Sequence, residues 1–293
     1  MPSNMKVHLY DVHTQATTPF EGALAAISAT PLDQRMRSVG ANEIRLENCL
    51  PPNTPANASS YWLLDFTNLR FKNGPGKANR VAPMTGFSLG PDDGFGEETA
   101  ALYDPSKKVL LIQYNHHGPR ASAICSYISS FFPGVMLDYE LSIRLNPNAA
   151  LKLQRQSILR KIDAKITPPK ISSSMRKSGT SLDNALSISN SIGGNTIEIT
   201  ISASRSKSSK LDFQKAHEFI SAIKELMSNG DAVERLEVEG RPSPGAPIET
   251  IDLIEERIET TIYNLTLGSD LRYIQSSRWE GLLKARNGWG AIL

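Results

Sequence analysis

Apolar and polar residues alternate along many stretches of this chain, and that period is typical of half-buried β-strands. The alternation predicts strands at about 6–12, 43–50, 60–70, 97–104, 109–115, 135–145, 195–203 and 232–239. Apolar residues at helical spacing predict helices at 20–28, 31–37, 122–132, 149–155, 182–192 and 212–228, and one that begins at 273. A mainly antiparallel first half followed by a strand–helix–strand unit predicts an α+β fold.

The stretch 97–132 is the element around which the rest of the fold is expected to form. Asp104 and the Pro-Ser-Lys that follows it predict a turn between two strands. The second strand, Val-Leu-Leu-Ile, is apolar enough to be central in a sheet. The loop 115–120 then leads to Ser122, which we expect to cap the next helix.

Composition divides the chain into two predicted domains and a linker. We expect an N-terminal α+β domain over 1–169, built on the hairpin and helix of 97–132, and a C-terminal α+β domain with a terminal helix over 182–293. The basic, serine-rich segment 170–181 is predicted to be a flexible linker. Residues 248–267 are predicted to form a β-hairpin or a long bent strand. The core is expected to include Leu111, Ile128, Leu141, Ile199, Ile220 and Val238.

Charge is distributed unevenly, although the net charge is only +2. Residues 151–215 carry 12 Lys and Arg against 4 Asp and Glu, whereas 1–150 carry 12 against 13 and 216–293 carry 8 against 13. A basic segment between acidic ones indicates a polyanionic partner, most often a nucleic acid, or a solvated surface. The candidate DNA-binding residues are Lys152, Arg155, Arg160, Lys161, Lys165, Lys170, Arg176, Lys177, Arg205, Lys207 and Lys210.

A loop that joins a buried strand to a helix N-terminus is a suitable place for an anion. Asn115, His116, His117 and Arg120 occupy such a loop and form a candidate phosphate site, with a structural turn as the alternative. A metal site is not expected, because adjacent histidines on a regular strand point to opposite faces and no third ligand stands at a recognisable spacing.

Acidic residues around the first strand of the hairpin raise the alternative of a metal-dependent nuclease or toxin effector. Metal-assisted phosphodiester hydrolysis needs two or more carboxylates that converge on a cation. Their spacing does not match that of known nucleases, and turn or surface roles explain them as well. The carboxylates are Asp92, Asp93, Glu97, Glu98 and Asp104.

Other function classes have no sequence signal. No nucleophile–base motif, phosphate-binding loop or dinucleotide-binding glycine pattern is present, so we expect no cofactor and lean against an enzyme. The two cysteines, Cys49 and Cys125, do not make a disulfide framework. Without a membrane span or a secretion signal, a cytoplasmic location is expected.

The order of predicted elements over about 60–240 resembles known phage-exclusion proteins. A Gly- and Phe-rich segment precedes the hairpin, the central strand and the capped helix; a basic strand, a short helix, the isoleucine-rich strand, the long helix and a strand ending in glycine follow. This succession is similar to the phage lambda exclusion protein RexA and, more loosely, to the KwaB subunit of the Kiwa anti-phage system. The segment 113–118 also resembles bacterial proteins found beside mobile elements.

The resemblance implies phage defence, DNA binding with little sequence preference and a homodimer, and it transfers no catalytic residues. Our first hypothesis is therefore a non-enzymatic DNA-binding protein of a phage-defence system or mobile element, with a second defence protein as a further partner. The alternatives are the nuclease described above and a structural or sensor subunit of a protein complex. The dimer hypothesis assigns the apolar terminal segment 273–293 to a second subunit, whereas the alternative packs it on the protein's own core.

Overall fold

The fold is α+β, as predicted, and its two sheets are antiparallel. The computed structural model describes residues 3–14, 17–40, 42–132, 139–168, 171, 180–204, 206, 209–228 and 232–293. Within these residues no helix is long and apolar enough to cross a membrane.

The first sheet has eight strands in the order β12-β1-β6-β5-β4-β3-β2, with β7 beside β12 on the same edge of β1. The strands are β1 (Asn4–Thr14), β2 (Arg37–Val39), β3 (Asn42–Leu50), β4 (Trp62–Arg70), β5 (Phe95–Asp104), β6 (Val109–Tyr114), β7 (Tyr139–Ile143) and β12 (Glu259–Tyr263). The predicted hairpin is confirmed as β5 and β6, and its apolar second strand lies inside the sheet between β5 and β1.

The second sheet has four strands in the order β11-β10-β8-β9. They are β8 (Ile158–Ile166), β9 (Ile197–Ser202), β10 (Val233–Arg241) and β11 (Glu249–Asp252). The six helices of the described residues are α1 (Phe20–Ala29), α2 (Ala121–Ser129), α3 (Pro147–Arg155), α4 (Ser181–Ser191), α5 (Phe213–Ser228) and α6 (Gln275–Gly288).

The first sheet has an apolar cluster on each face, because its strands carry apolar residues on both sides. One cluster joins that sheet to α1, α2, α5 and the second sheet, and it contains Ile128, Leu141, Ile220 and Val238, with Ile199 partly buried against it. The other cluster lies under α6 and contains Leu111. The six predicted core residues therefore pack in two layers.

The terminal segment packs on the protein's own core. Leu282 and Ala285 of α6 and Trp289 behind it are buried on the first sheet, and the Trp279 indole Nε1 donates to the carbonyl of Leu64 at 2.9 Å. The apolar side of this segment therefore has a structural role within one chain.

Strand pairing crosses the predicted boundary between the two domains. Strand β8 belongs to the predicted N-terminal domain, yet it pairs with β9 and β10 of the predicted C-terminal domain. Strand β12 and helix α6 return to the first sheet. Of the predicted linker 170–181, only Ile171, Thr180 and Ser181 lie within the described residues.

Three local predictions are wrong. Residues 248–267 do not form a hairpin, since β11 pairs with β10 in one sheet and β12 pairs with β1 in the other. The predicted helix at 31–37 is only a single 3-10 turn, Leu32–Gln34, because the chain must become extended to enter β2. Helix α2 is preceded by Arg120 as its N-cap, which makes no side-chain capping bond, and Ser122 lies inside the helix.

Truncating a side chain beneath α6 tests the second core layer. Leu111 is fully buried, so Leu111→Ala should reduce the free energy of unfolding by about 2–5 kcal/mol through lost transfer energy and a residual cavity. The control Ile188→Ala changes a side chain that is 65% exposed and should have little effect. Urea denaturation measures both; equal stabilities for the two variants would place Leu111 outside the core.

Candidate functional site

The basic side chains on the solvent face of β8 are paired with carboxylates from β8 itself and from β10. Lys161 Nζ lies 3.3 Å from Asp163 and 3.5 Å from Glu239. Lys165 Nζ lies 2.9 Å from Glu234. The face therefore carries mixed charge and presents no continuous basic surface to a polyanion.

Arg160 differs from these lysines because carbonyl groups hold its guanidinium. Its Nη1 donates to Ser206 at 2.8 Å and also to Ser209, and its Nη2 donates to Ser204 at 2.9 Å. Carbonyl oxygens satisfy the N–H groups but do not neutralise the charge. Arg160 thus holds residues 204, 206 and 209, the described part of the basic loop 203–211, and no described carboxylate forms an ion pair with it.

The remaining candidate basic residues fall into three groups. Lys210 is exposed in the loop that Arg160 holds, and it makes no ion pair with a described residue. Arg155 pairs with Glu249. Hydrogen bonds from Gln156 and Arg155 lower the pKa of the Glu249 carboxyl, and the charge of the nearby Lys152 lowers it further. Outside the described residues lie Lys170, Arg176, Lys177, Arg205 and Lys207.

The four residues of the candidate phosphate site do not converge on one pocket. The Asn115 amide is occupied: Nδ2 donates to the Glu98 carbonyl of β5, and Oδ1 accepts from the His117 N–H in its own loop. Arg120 Nη2 lies 3.3 Å from His116 Nδ1 and donates to the His116 carbonyl. Asn115 and His116 line one cavity with Gln113, Asn115 and Arg120 line a second, much smaller one, and His117 lines neither.

Of the carboxylates considered for a nuclease, Asp92, Asp93 and Glu98 line one groove, whereas Glu97 and Asp104 do not. Glu97 lies 3.5 Å from Arg70, and Asp104 is held at the hairpin turn, at the far end of β5. Asp92 and Asp93 are exposed in the loop before β5. Among the described residues no three His, Cys, Asp or Glu side chains are grouped so that they could hold a metal ion. This arrangement does not favour two-metal hydrolysis.

Sequence reasoning missed a polar groove beside the N-terminus of α6. Its floor contains a buried ion pair in which Nη1 and Nη2 of the Arg278 guanidinium donate to Asp65, at 2.7 and 2.9 Å. Gln275 adds a third donor to Asp65 at 2.8 Å, and Arg278 Nη2 also lies 3.4 Å from Glu98. The available signal was Asp65, an acidic residue among the otherwise apolar residues 62–66 of β4.

Glu98 is the carboxylate of this cluster that solvent can reach, with a side chain 25% exposed. Burial raises its pKa; the charge of Arg278 opposes that shift, and the charge of Asp65 adds to it. Arg272 lies 3.5 Å away on the open side. The groove therefore combines a half-buried acid with an exposed guanidinium.

Neither cysteine provides a reactive thiolate in this structure. Both thiols are free. Burial raises the pKa of Cys49 and that of Cys125 to about 12, so both remain protonated at neutral pH.

The chain belongs to a family of unknown function, DUF6731, whose model matches residues 13–270. The sequence matches no curated protein.

Asp104 tests whether these carboxylates are structural. Its Oδ1 accepts from Ser106 and from the backbone of Lys107, and its Oδ2 accepts from Arg286 at 2.7 Å. Burial opposes ionisation of Asp104, but these donors outweigh it and lower the pKa. Because the folded pKa lies below the unfolded value of about 3.9, the carboxylate stabilises the fold above that pH and loses this effect as pH falls through the folded value.

Asp104→Asn should therefore lower the free energy of unfolding at pH 7 by about 1–3 kcal/mol, since it leaves Arg286 without its charged partner. It should also flatten the decline in stability below about pH 4. The control Asp92→Asn changes an exposed carboxylate and should do neither. Denaturation at several pH values measures both effects, and an acid-induced decline equally steep in the Asp104 variant contradicts the structural role.

Proposed function

We propose that this protein binds DNA through phosphate contacts from Arg160, Lys210 and the basic loop 203–211, with little sequence preference. The resemblance described above supports a setting in phage defence or a mobile element, in the cytoplasm. The proposed DNA-binding surface is the basic loop 203–211, and not the solvent face of β8, where carboxylates pair with the lysines.

The observation that carries the proposal is the uncompensated charge of Arg160. A guanidinium held by three carbonyls is pre-positioned, so little side-chain entropy is lost when it meets a phosphate. The loop it holds also contains Arg205, Lys207 and Lys210 in its sequence, and no Asp or Glu occurs between 199 and 211. A segment with this density of positive charge attracts a polyanion.

Little sequence preference is expected, because contacts to phosphates position a protein on DNA without reading bases. A homodimer is part of the proposal, since two basic loops on one DNA raise the effective concentration of the second contact. Within the described residues β9 pairs only with β8, so its other edge is open to a second subunit.

A pair of matched double variants tests the surface. Lys207→Glu/Lys210→Glu changes the loop without removing Arg160, which holds it. Lys161→Glu/Lys165→Glu makes the same change in charge on the paired face of β8. We expect the loop variant to lose at least tenfold in affinity for a 30-base-pair duplex, and the face variant to lose much less.

Fluorescence anisotropy across salt concentrations measures both variants against wild type on two unrelated sequences. Loss of two phosphate contacts should flatten the slope of log K against log salt by about 1.8 units. Circular dichroism controls for folding, and Arg160→Gln provides an independent variant with a smaller charge change. Equal losses in the two double variants, or a strong preference for one sequence, would count against the proposal.

A further inference from the structure

A second candidate site lies on the α6 face of the first sheet, away from the basic loop. A cavity of about 450 Å³ opens where β5 and β6 meet the chain segment 271–273. It continues into a cavity of about 1010 Å³ through the shared residues Gly96, Glu98 and Arg272. The smaller cavity is within the size range of small-molecule pockets, roughly 300–1,000 Å³.

Gln113 in the wall of this cavity has an unused donor. The side chain is only 7% exposed, and its Oε1 accepts the backbone N–H of Ala100 at 3.1 Å. That bond fixes the orientation of the amide, so Nε2 is the atom left over. Nε2 has no partner among the described residues. Solvent reaches this nitrogen, which is not one of the fully buried unpaired atoms of the described residues, so it can donate to water or to a ligand.

Arg272 supplies a second set of donors at the same cavity. Its side chain is 60% exposed, and its contacts to Glu98 and Asp270 use Nη1 and Nε. The planar guanidinium has five N–H groups, so donors remain for an oxyanion. His116 lines the same cavity beside Gln113.

The carboxylates at the cavity do not oppose an anion, because arginines balance them. Glu97 lies 3.5 Å from Arg70, and Glu98 lies 3.4 Å from Arg278 and 3.5 Å from Arg272. Local negative charge is therefore compensated within the protein.

We propose that this cavity binds the oxyanion of a small organic molecule, with the Gln113 amide and the Arg272 guanidinium as donors. A carboxylate and a phosphate monoester both carry such an oxyanion. The site is independent of DNA binding, since Gln113 and Arg160 belong to different sheets.

The experiment follows the Gln113 side-chain amide signal of the ¹⁵N-labelled full chain by NMR. Sodium phosphate and sodium acetate are titrated separately at constant ionic strength, and glycerol serves as an uncharged probe. We expect a saturable shift with one or both anions and none with glycerol. Saturation by phosphate alone supports a phosphate ligand, and saturation by acetate alone supports a carboxylate ligand.

Three variants test whether Gln113 and Arg272 are the donors. In each variant, amide signals away from the substituted residue report binding. Gln113→Glu keeps the acceptor for Ala100 but replaces the donor with an anionic oxygen, so binding should be lost. Arg272→Gln should weaken binding at least tenfold. Arg70→Gln is the matched control, because Arg70 also pairs with a glutamate at 3.5 Å but does not line the cavity. Binding that survives Gln113→Glu, or that no anion saturates in wild type, overturns the proposal and leaves water as the partner of Gln113.

Discussion

The buried ion pair between Asp65 and Arg278 is the interaction on which the first sheet and its terminal helix depend. Both side chains are 2% exposed, and the residues are 213 positions apart in the chain. Transfer of two charges out of water is costly, and only close, bidentate contact offsets that cost. The pair therefore permits one orientation of α6 on β4 and disfavours displaced ones.

The position of α6 divides its face of the sheet into two parts with different roles. Where the helix covers the sheet, Leu63, Leu102 and Leu111 form an apolar layer with Leu282. Beyond the helix N-terminus, the same strands carry Asp65, Glu98 and Gln113, which line the polar groove and its adjoining cavity. One helix thus completes a core and also forms one wall of a candidate ligand site.

Local structure could be read from the sequence because it depends on periodicity within a segment. The alternation at 60–70 and 195–203 predicted β4 and β9, and Asp212 was correctly placed at the start of α5, where it accepts the Lys215 N–H. Pairing between distant segments could not be read in this way. Residues 248–267 offered two short strands, and nothing local shows that β12 pairs with β1, about 250 residues away.

Charge counts along the sequence have the same limit, because they do not show which charges are paired in the fold. Counting residues along the chain identified a basic segment, but two of its lysines pair with glutamates of β10: Lys161 with Glu239 and Lys165 with Glu234. Arg160 retains its charge because the loop that follows β9 offers it carbonyls rather than carboxylates. Strand pairing, more than composition, decides which charges remain available to a partner.

A double-mutant cycle on Asp65 and Arg278 tests the central claim that this pair holds the terminal helix on the sheet. Urea denaturation of Asp65→Asn, Arg278→Met and the double variant gives the three free energies of unfolding. We predict that each single change costs about 3–5 kcal/mol and that the double change costs clearly less than their sum. Costs that add to within about 0.5 kcal/mol would contradict the account.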